Sequence, residues 1–391
     1  MCFKCPICGN DNPRMIGYLN GVPYCRKCIS FKGEEADNSL NYPKRASFHL
    51  SYQLSEDQLK LSNQLISNYK RGINSLVHAV CGSGKTEIVL AVIQYSIQCG
   101  EHVGFAVPRR DVCIELRDRF KSIFKRNKVG LVCGGNTDDL YGDLICLTTH
   151  QLYRYDHYFD LLIIDEVDAF PFKDNEILEA FFYKSIKSRY IMMSATPDEK
   201  LLKKFSGENM DILNLNTRFH GHPLPVPELV SGNKVSIYLL LFKTLRKFKN
   251  LKKQAFIFCP TISICENTYC IYKFLFKNCD FVHSKKQTRS ETIQAFRERK
   301  IQFLFTTAVL ERGVTVKDLQ VVVFMADHSV YTQYSLVQIA GRVGRKADAP
   351  EGEVIFIGKE INESMAKARE DIISANESLQ NVFWRHRRLL N

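Results

Sequence analysis

Three short stretches carry residues whose types and spacing could do chemistry on a phosphate. The first is AVCGSGKTE, Ala79 to Glu87, between an apolar run and a segment of helical spacing. Glycines at Gly82 and Gly84, flanking Ser83, let backbone N–H groups approach phosphate oxygens at a helix start, where negative charge is favoured. Lys85 would then reach the β- and γ-phosphates of ATP, and the Thr86 hydroxyl would ligate Mg²⁺. The strict pattern wants glycine at the Ala79 position, and a plain glycine-rich turn is the alternative reading. The second stretch, DLLIIDEVDAF, ends an apolar run on Asp165 and Glu166. Beside a phosphate loop, the aspartate would hold Mg²⁺ and the glutamate would polarise water. Standing alone, the pair would read as turn formers. The third, QIAGRVGRK, places Arg342 and Arg345 three apart, each after a glycine. By themselves they read equally as a nucleic-acid patch, a solvated helix face, or half of a site completed elsewhere.

A fourth pattern is metallic. Cys5 and Cys8, then sixteen residues, then Cys25 and Cys28 form two C-x2-C knuckles. Each knuckle puts two thiolates on one tight turn, and two knuckles close a tetrahedral Zn²⁺ site. Four thiolates leave no open position, so the expected metal is structural; free or redox-active thiols are the alternative. Cys2 is a spare in register with Cys5. YLNGVPYC reads as a hairpin leading to the second knuckle.

These groups must be positioned by the rest of the 391 residues, a length that favours two or three domains. Apolar runs SLVHAV, HVGFAV, DLICLT, DLLIID and RYIMMS alternate with amphipathic segments, the rhythm of βαβ units and a parallel sheet. The rhythm stops near Asn214, where TRFHGHPLPVPEL reads as a connector. It restarts with QAFIFCP, CDFVHS, IQFLFTT, LQVVVFM and EVIFIG. Ser55 is an N-cap candidate with Gln58 at capping-box spacing, opening a helix over LSEDQLKLSNQLISNY. The expected division is a cysteine module with a loose polar bridge over 1–45, α/β domains over 46–215 and 216–365, and a basic helix with Trp384 over 366–391. The formal charge of +12 favours a polyanionic partner. No run is long enough to cross a membrane, and MCFKCPICGN has no apolar core of a secretory signal, which points to the cytoplasm.

GSGKT, DEVD, SAT (Ser194 to Thr196) and QIAGRVGR, in that order, resemble the motifs of superfamily 2 helicases and translocases, over roughly Gln53 to Lys346. The resemblance implies two tandem RecA-like domains with nucleotide in the cleft between them, and arginines of the second domain reaching the γ-phosphate held by the first. It implies that Gln58 reads adenine, beside its capping role, and that Gly313 lies at the nucleotide. PRRDV, TTHQL and TTAVLERGVTV are similar to the family's nucleic-acid backbone contacts, which brings in Pro108, Arg109, Arg110, Thr148, Thr149 and Thr307, with His283 of CDFVHS. Thr315 stands where many members carry aspartate, so no ribose contact is carried over there. An N-terminal four-cysteine module on a compact motor resembles the late-competence DNA-uptake ATPases of Gram-positive bacteria. That resemblance implies ATPase activity stimulated by single-stranded DNA, peripheral work at an uptake channel on the inner face of the membrane, and the partners ComFC and DprA. Replication or repair helicases acting on DNA or RNA, similar to PriA, and a zinc scaffold with structural ATP are the other readings.

Overall fold

Every strand of the two large sheets runs parallel to its neighbours, so each connection returns the chain to the same end of the sheet, most of the described ones through a helix. The computed structural model describes residues 3–19, 21–28, 31, 33–37, 41–80, 82–137, 139–168, 171–194, 209–215, 222–310, 316–345 and 348–389, with side chains of the last helix through 377. Contacts divide the chain into two units, Met1–Leu215 and Asn216–Asn391.

The first unit opens with the antiparallel hairpin β1 (Ile16–Leu19) and β2 (Val22–Cys25), turned at Gly21 with φ +78. It continues through α1 (Glu56–Lys70), β3 (Asn74–Ala79), α2 (Lys85–Ile88), α3 (Leu90–Gln98), β4 (Val103–Val107) and α4 (Arg110–Ile123). Then come β5 (Val129–Val132), β6 (Leu144–Thr148), β7 (Phe159–Asp165), α5 (Glu176–Ser185), β8 (Ile186–Ser194) and β9 (Met210–Leu215). The sheet order is β5-β6-β4-β7-β8-β3-β9. Its central strands are buried on both faces, which is why they read as unbroken apolar runs. One face packs under α1, α3 and α4. The other packs against aromatic residues around α5 and against Cys5, Cys25 and Cys28.

The cysteine module is therefore part of a shared core. Phe31 stacks edge-on against Phe181 with ring centroids at 4.8 Å and lies 5.8 Å from Tyr153. The polar bridge, expected to be loose, is instead tied down where it is described. Lys44 reaches Asp143 at 2.5 Å, Asn41 donates to the Glu101 carbonyl at 3.3 Å, and Ala36 N–H donates to the Arg154 carbonyl at 2.8 Å. Polar composition marked it as exposed; hydrogen bonding to the sheet's loops holds it in place.

The second unit carries β10 (Glu228–Ser231), α6 (Lys234–Asn250), β11 (Gln254–Phe258), α7 (Ile262–Tyr272), β12 (Cys279–Val282), α8 (Arg289–Arg297) and β13 (Phe303–Thr306). It ends with β14 (Leu319–Phe324), α9 (Gln333–Ala340), β15 (Val354–Gly358) and α10 (Glu363–Leu389). The sheet order is β10-β15-β14-β11-β13-β12. α10 runs through Trp384, whose side chain lies outside the described residues.

Candidate functional site

The candidate phosphate site lies at the carboxyl ends of the first unit's strands, where open parallel sheets bind ligands. β3 ends at Ala79, and the loop after it delivers Lys85 as the first residue of α2. Gly82 and Gly84 both take φ of +80, a backbone region that L side chains rarely occupy. Gly84 is doubly constrained, since a Cβ there would collide with the Gln58 amide. The Ser83 hydroxyl is buried and has no hydrogen-bond partner among the described residues. A buried loop with glycines at left-handed positions, an orphaned hydroxyl and an adjacent lysine suits a phosphate, so the residues fit ATP.

Lys85 Nζ lies 3.7 Å from Asp165 Oδ1, so the cation and the strand-end carboxylate of β7 face one another. Asp165 Oδ1 also accepts the Glu166 N–H at 2.8 Å, and Glu166 sits at φ +60. A left-handed non-glycine residue costs on the order of 1 kcal/mol, and such strain gathers at functional sites. Thr86 follows Lys85 and is half-buried; its hydroxyl and the Asp165 carboxylate are oxygen donors of the kind Mg²⁺ takes. Between β7 and β3 runs β8, whose Ser194 pairs in register with His78 and donates to Asp168 Oδ1 at 2.9 Å. The SAT serine thus links the strand beside the phosphate loop to the second aspartate of DEVD. Ala195 and Thr196 lie outside the described residues.

Gln58 is both cap and brace. Its Oε1 accepts the Ser55 N–H at 3.0 Å, its own N–H donates to Ser55 Oγ at 3.3 Å, and its Nε2 donates to the Ser83 carbonyl at 2.7 Å. Both ends of the amide are engaged and the residue is buried. Sequence reasoning missed the neighbouring charge cluster. Glu87 is buried and accepts Tyr52 Oη at 2.6 Å and the Arg119 guanidinium. Burial, reinforced by that carboxylate, pushes the Tyr52 hydroxyl up to about 12. Glu87 is adjacent to the phosphate-loop motif and was findable, but no spacing points to Arg119 on α4.

The expected nucleic-acid residues are scattered over strand ends. Pro108 is buried after β4, Arg109 stands at the N-cap position of α4, and Arg110 is exposed on its first turn. Thr148 ends β6 and Thr149 opens a 3₁₀ turn over Thr149–Arg154, both buried. In the second unit, Thr307 is half-buried after β13, and its carbonyl accepts the Thr306 hydroxyl at 3.1 Å. His283 is buried, with Nε2 3.0 Å from Glu266 and Nδ1 accepting the Lys285 N–H at 3.2 Å. Arg342 is buried, whereas Arg345 is half-buried and donates from Nε to the Gly341 carbonyl at 3.2 Å. Gly313 lies outside the described residues.

The four cysteine sulfurs lie within 4.8 Å of one another. Cys5 to Cys28 is 4.0 Å and Cys8 to Cys25 is 3.7 Å. A tetrahedral Zn²⁺ with sulfurs at about 2.3 Å requires edges of roughly 3.8 Å, so the cluster fits zinc. Burial raises the Cys8 and Cys28 thiols, while at Cys25 burial is outweighed by the Lys27 and Cys28 N–H groups, which lower it.

Two parallel-sheet α/β units, the first with a phosphate loop facing a DExD strand end, define a superfamily 2 helicase or translocase. Residues 51–199 match the family "Type III restriction enzyme, res subunit", and residues 237–347 match "Helicase conserved C-terminal domain". The chain is 36% identical to "Competence protein ComFA" of Streptococcus pneumoniae (strain ATCC BAA-255 / R6), over 91% of this chain and 86% of that protein. It is 33% identical to "Competence protein ComFA" of Bacillus subtilis (strain 168), over 97% of this chain and 87% of that one. The solved structure of S. cerevisiae Dbp5 bound to RNA and ADP BeF3 shares the fold, with TM-score 0.62 and 16% identity over 82% of this chain and 91% of that one. The chain belongs to the ComFA family of competence-related superfamily 2 helicases and translocases, and is a nucleic-acid-dependent ATPase. Among the described residues, no helix is long and apolar enough to cross a membrane.

Proposed function

We propose that the chain is the ATP-driven motor that draws single-stranded transforming DNA inward during natural competence. The observation that carries this reading is the 36% identity to a ComFA over 91% of the chain, with the phosphate-loop lysine, DEVD and both arginines present. Bound ATP supplies the γ-phosphoryl group, with Mg²⁺ neutralising its charge. Gly82, Ser83 and Gly84 cradle the phosphates through backbone N–H groups. Lys85 would neutralise the β- and γ-oxygens, Thr86 and Asp165 would hold the metal, and Glu166 would polarise the attacking water. Arg342 and Arg345 stabilise charge that develops on the equatorial oxygens, for which a planar, permanently charged guanidinium is suited. Gln58 serves the nucleotide through the loop it braces, and its amide keeps one N–H and one lone pair beyond Ser55 and Ser83, the groups that reading adenine would use.

Pro108, Arg109, Arg110, Thr148, Thr149, His283 and Thr307 mark the track for the DNA backbone, which needs hydroxyls, N–H groups and cations rather than base-reading groups. Cys5, Cys8, Cys25 and Cys28 hold a structural Zn²⁺. ComFC, DprA and the membrane uptake channel are the partners this reading names, with the motor attached peripherally on the cytoplasmic side. The expected domain limits, 1–45, 46–215, 216–365 and 366–391, remain a proposed division, in which 1–45 packs on the core of 46–215.

ATP hydrolysis measured at low salt with single-stranded DNA, duplex DNA and RNA tests the reading. Single-stranded DNA stimulates turnover most, and absence of stimulation overturns it. Stimulation by RNA alone transfers the chain to the RNA-helicase reading. Lys85→Ala and Glu166→Gln each lower turnover by roughly 100-fold or more, with nucleotide binding surviving better in the second.

A further inference from the structure

The helix α6 is apolar on two faces, and the sheet covers one of them. Ile237, Leu241, Leu245 and Phe248 form a fully buried stripe against the strands. Val235, Tyr238, Leu239 and Phe242 form a second stripe at the same helical spacing, turned away from the first. Val235 is 70% exposed and Leu239 56% exposed, too much for residues that serve the unit's own core. Across from them, Ile271 and Leu275 rise from the end of α7 and the turn after it, and Phe274 stands 81% exposed beside them. Together the two helices line a shallow, open groove of about 540 Å³. Its floor is set by Tyr272, whose hydroxyl donates to the Tyr238 carbonyl at 2.6 Å. All the lining residues come from these helices and the turn after α7, and the walls are almost wholly apolar.

On α6 and at the end of α7 the charged residues beside the groove are basic, although Lys247 of α6 is paired with Glu353 at 2.6 Å. α6 carries five basic residues and no acidic one. Lys234 and Lys243 border the second stripe, and Lys273 and Lys277 are exposed on the opposite wall. The single acidic residue of α7, Glu266, is directed to His283 at 3.0 Å. The stripe from Val235 to Phe242 spans two helical turns, about 11 Å of axis.

We propose that this groove is the docking site for an acidic amphipathic helix of a partner protein. A concave apolar slot between two helices accepts anchor side chains at i, i+3 or i+4, and i+7 from a third helix. A rim of lysines selects a helix whose flanks carry Asp and Glu, through steering and suppression of basic competitors. An anionic lipid surface would share the charge preference, but Tyr272, buried between the exposed residues of α6 and α7, leaves a shallow furrow that inserted side chains fill better than a flat interface does.

The test is selection of displayed 18-residue helical peptides, randomised at every position, on the full-length chain with counter-selection on Leu239→Asp. The expected binders carry apolar anchors at helical spacing and acidic flanks. As synthetic peptides they bind the wild-type chain by fluorescence anisotropy, and binding weakens at least tenfold in Leu239→Asp and in Ile271→Asp. Lys243→Glu and Lys273→Glu, surface changes that spare the fold, weaken it by a smaller factor that shrinks further at high salt. Thermal melting and DNA-stimulated ATPase of all four variants match the wild type. Failure to recover groove-dependent binders, or recovery of binders with basic flanks, overturns the proposal. Groove-dependent binding to vesicles of phosphatidylglycerol and phosphatidylcholine, without peptide binding, overturns it in favour of a membrane.

Discussion

Replacing Gln58 by alanine separates a brace from a base reader. Gln58 is buried, with its amide nitrogen 2.7 Å from the Ser83 carbonyl and its amide oxygen 3.0 Å from the Ser55 N–H. Deleting the amide removes two neutral hydrogen bonds, each contributing about 1 kcal/mol net. The Ser55 N–H is half-exposed and regains water, so its loss is small. The Ser83 carbonyl loses its buried partner, which costs about 1–3 kcal/mol. The expected sum is a destabilisation of about 1–3 kcal/mol, dominated by the Ser83 carbonyl and read by urea unfolding of the full chain. If ordering the freed phosphate loop costs about 1 kcal/mol on binding, nucleotide affinity falls about fivefold. Because the contact is to the loop, a fluorescent ATP analogue and its GTP counterpart weaken by the same factor. Gln58→Glu keeps the acceptor for Ser55 but sets a carboxylate against the Ser83 carbonyl, and weakens both nucleotides further. Selective loss of ATP affinity with unchanged stability would refute the brace and make Gln58 the adenine reader.

Three further outcomes follow from the same geometry. Arg345→Ala lowers DNA-stimulated turnover by roughly 10³-fold while single-stranded DNA affinity, by anisotropy, changes less than about threefold; a large loss of DNA affinity at normal turnover contradicts the role. The chain carries one zinc by metal analysis, and Cys8→Ser or chelation releases it. Since Cys5, Cys25 and Cys28 share a core with the first sheet, melting of the first unit then falls by about 2–4 °C for each kcal/mol lost. Burial acts to raise the Asp143 carboxyl, but Lys44, the Lys128 N–H and Asn127 outweigh it and hold the carboxyl below its usual range. Its folded value lies below the unfolded one, so its stabilisation is present above about pH 4 and is lost as pH falls further. Asp143→Asn flattens the acid limb of stability against pH, and an unchanged limb rejects that assignment.

The sequence by itself determined the βα rhythm and the order of motifs. Strands buried on both faces must be apolar throughout, so β3, β4, β6, β7 and β8 and the inner strands of the second sheet stand out as runs. Edge strands β5, β9 and β10 did not stand out, since none is buried along its length, whereas β12, also an edge, was legible as the run CDFVHS. The capping box at Ser55 and the two cysteine knuckles were likewise legible, because their partners lie within a few residues along the chain. What tertiary structure alone decided lies between residues far apart in sequence. Nothing local tells that Gln58 ends on Ser83, that Arg119 neutralises Glu87, or that Phe31 seats the cysteine module on Phe181. Those contacts are fixed by which helices and loops the sheet order brings together, and that order is set by packing both faces of a sheet at once rather than by any single segment's preference.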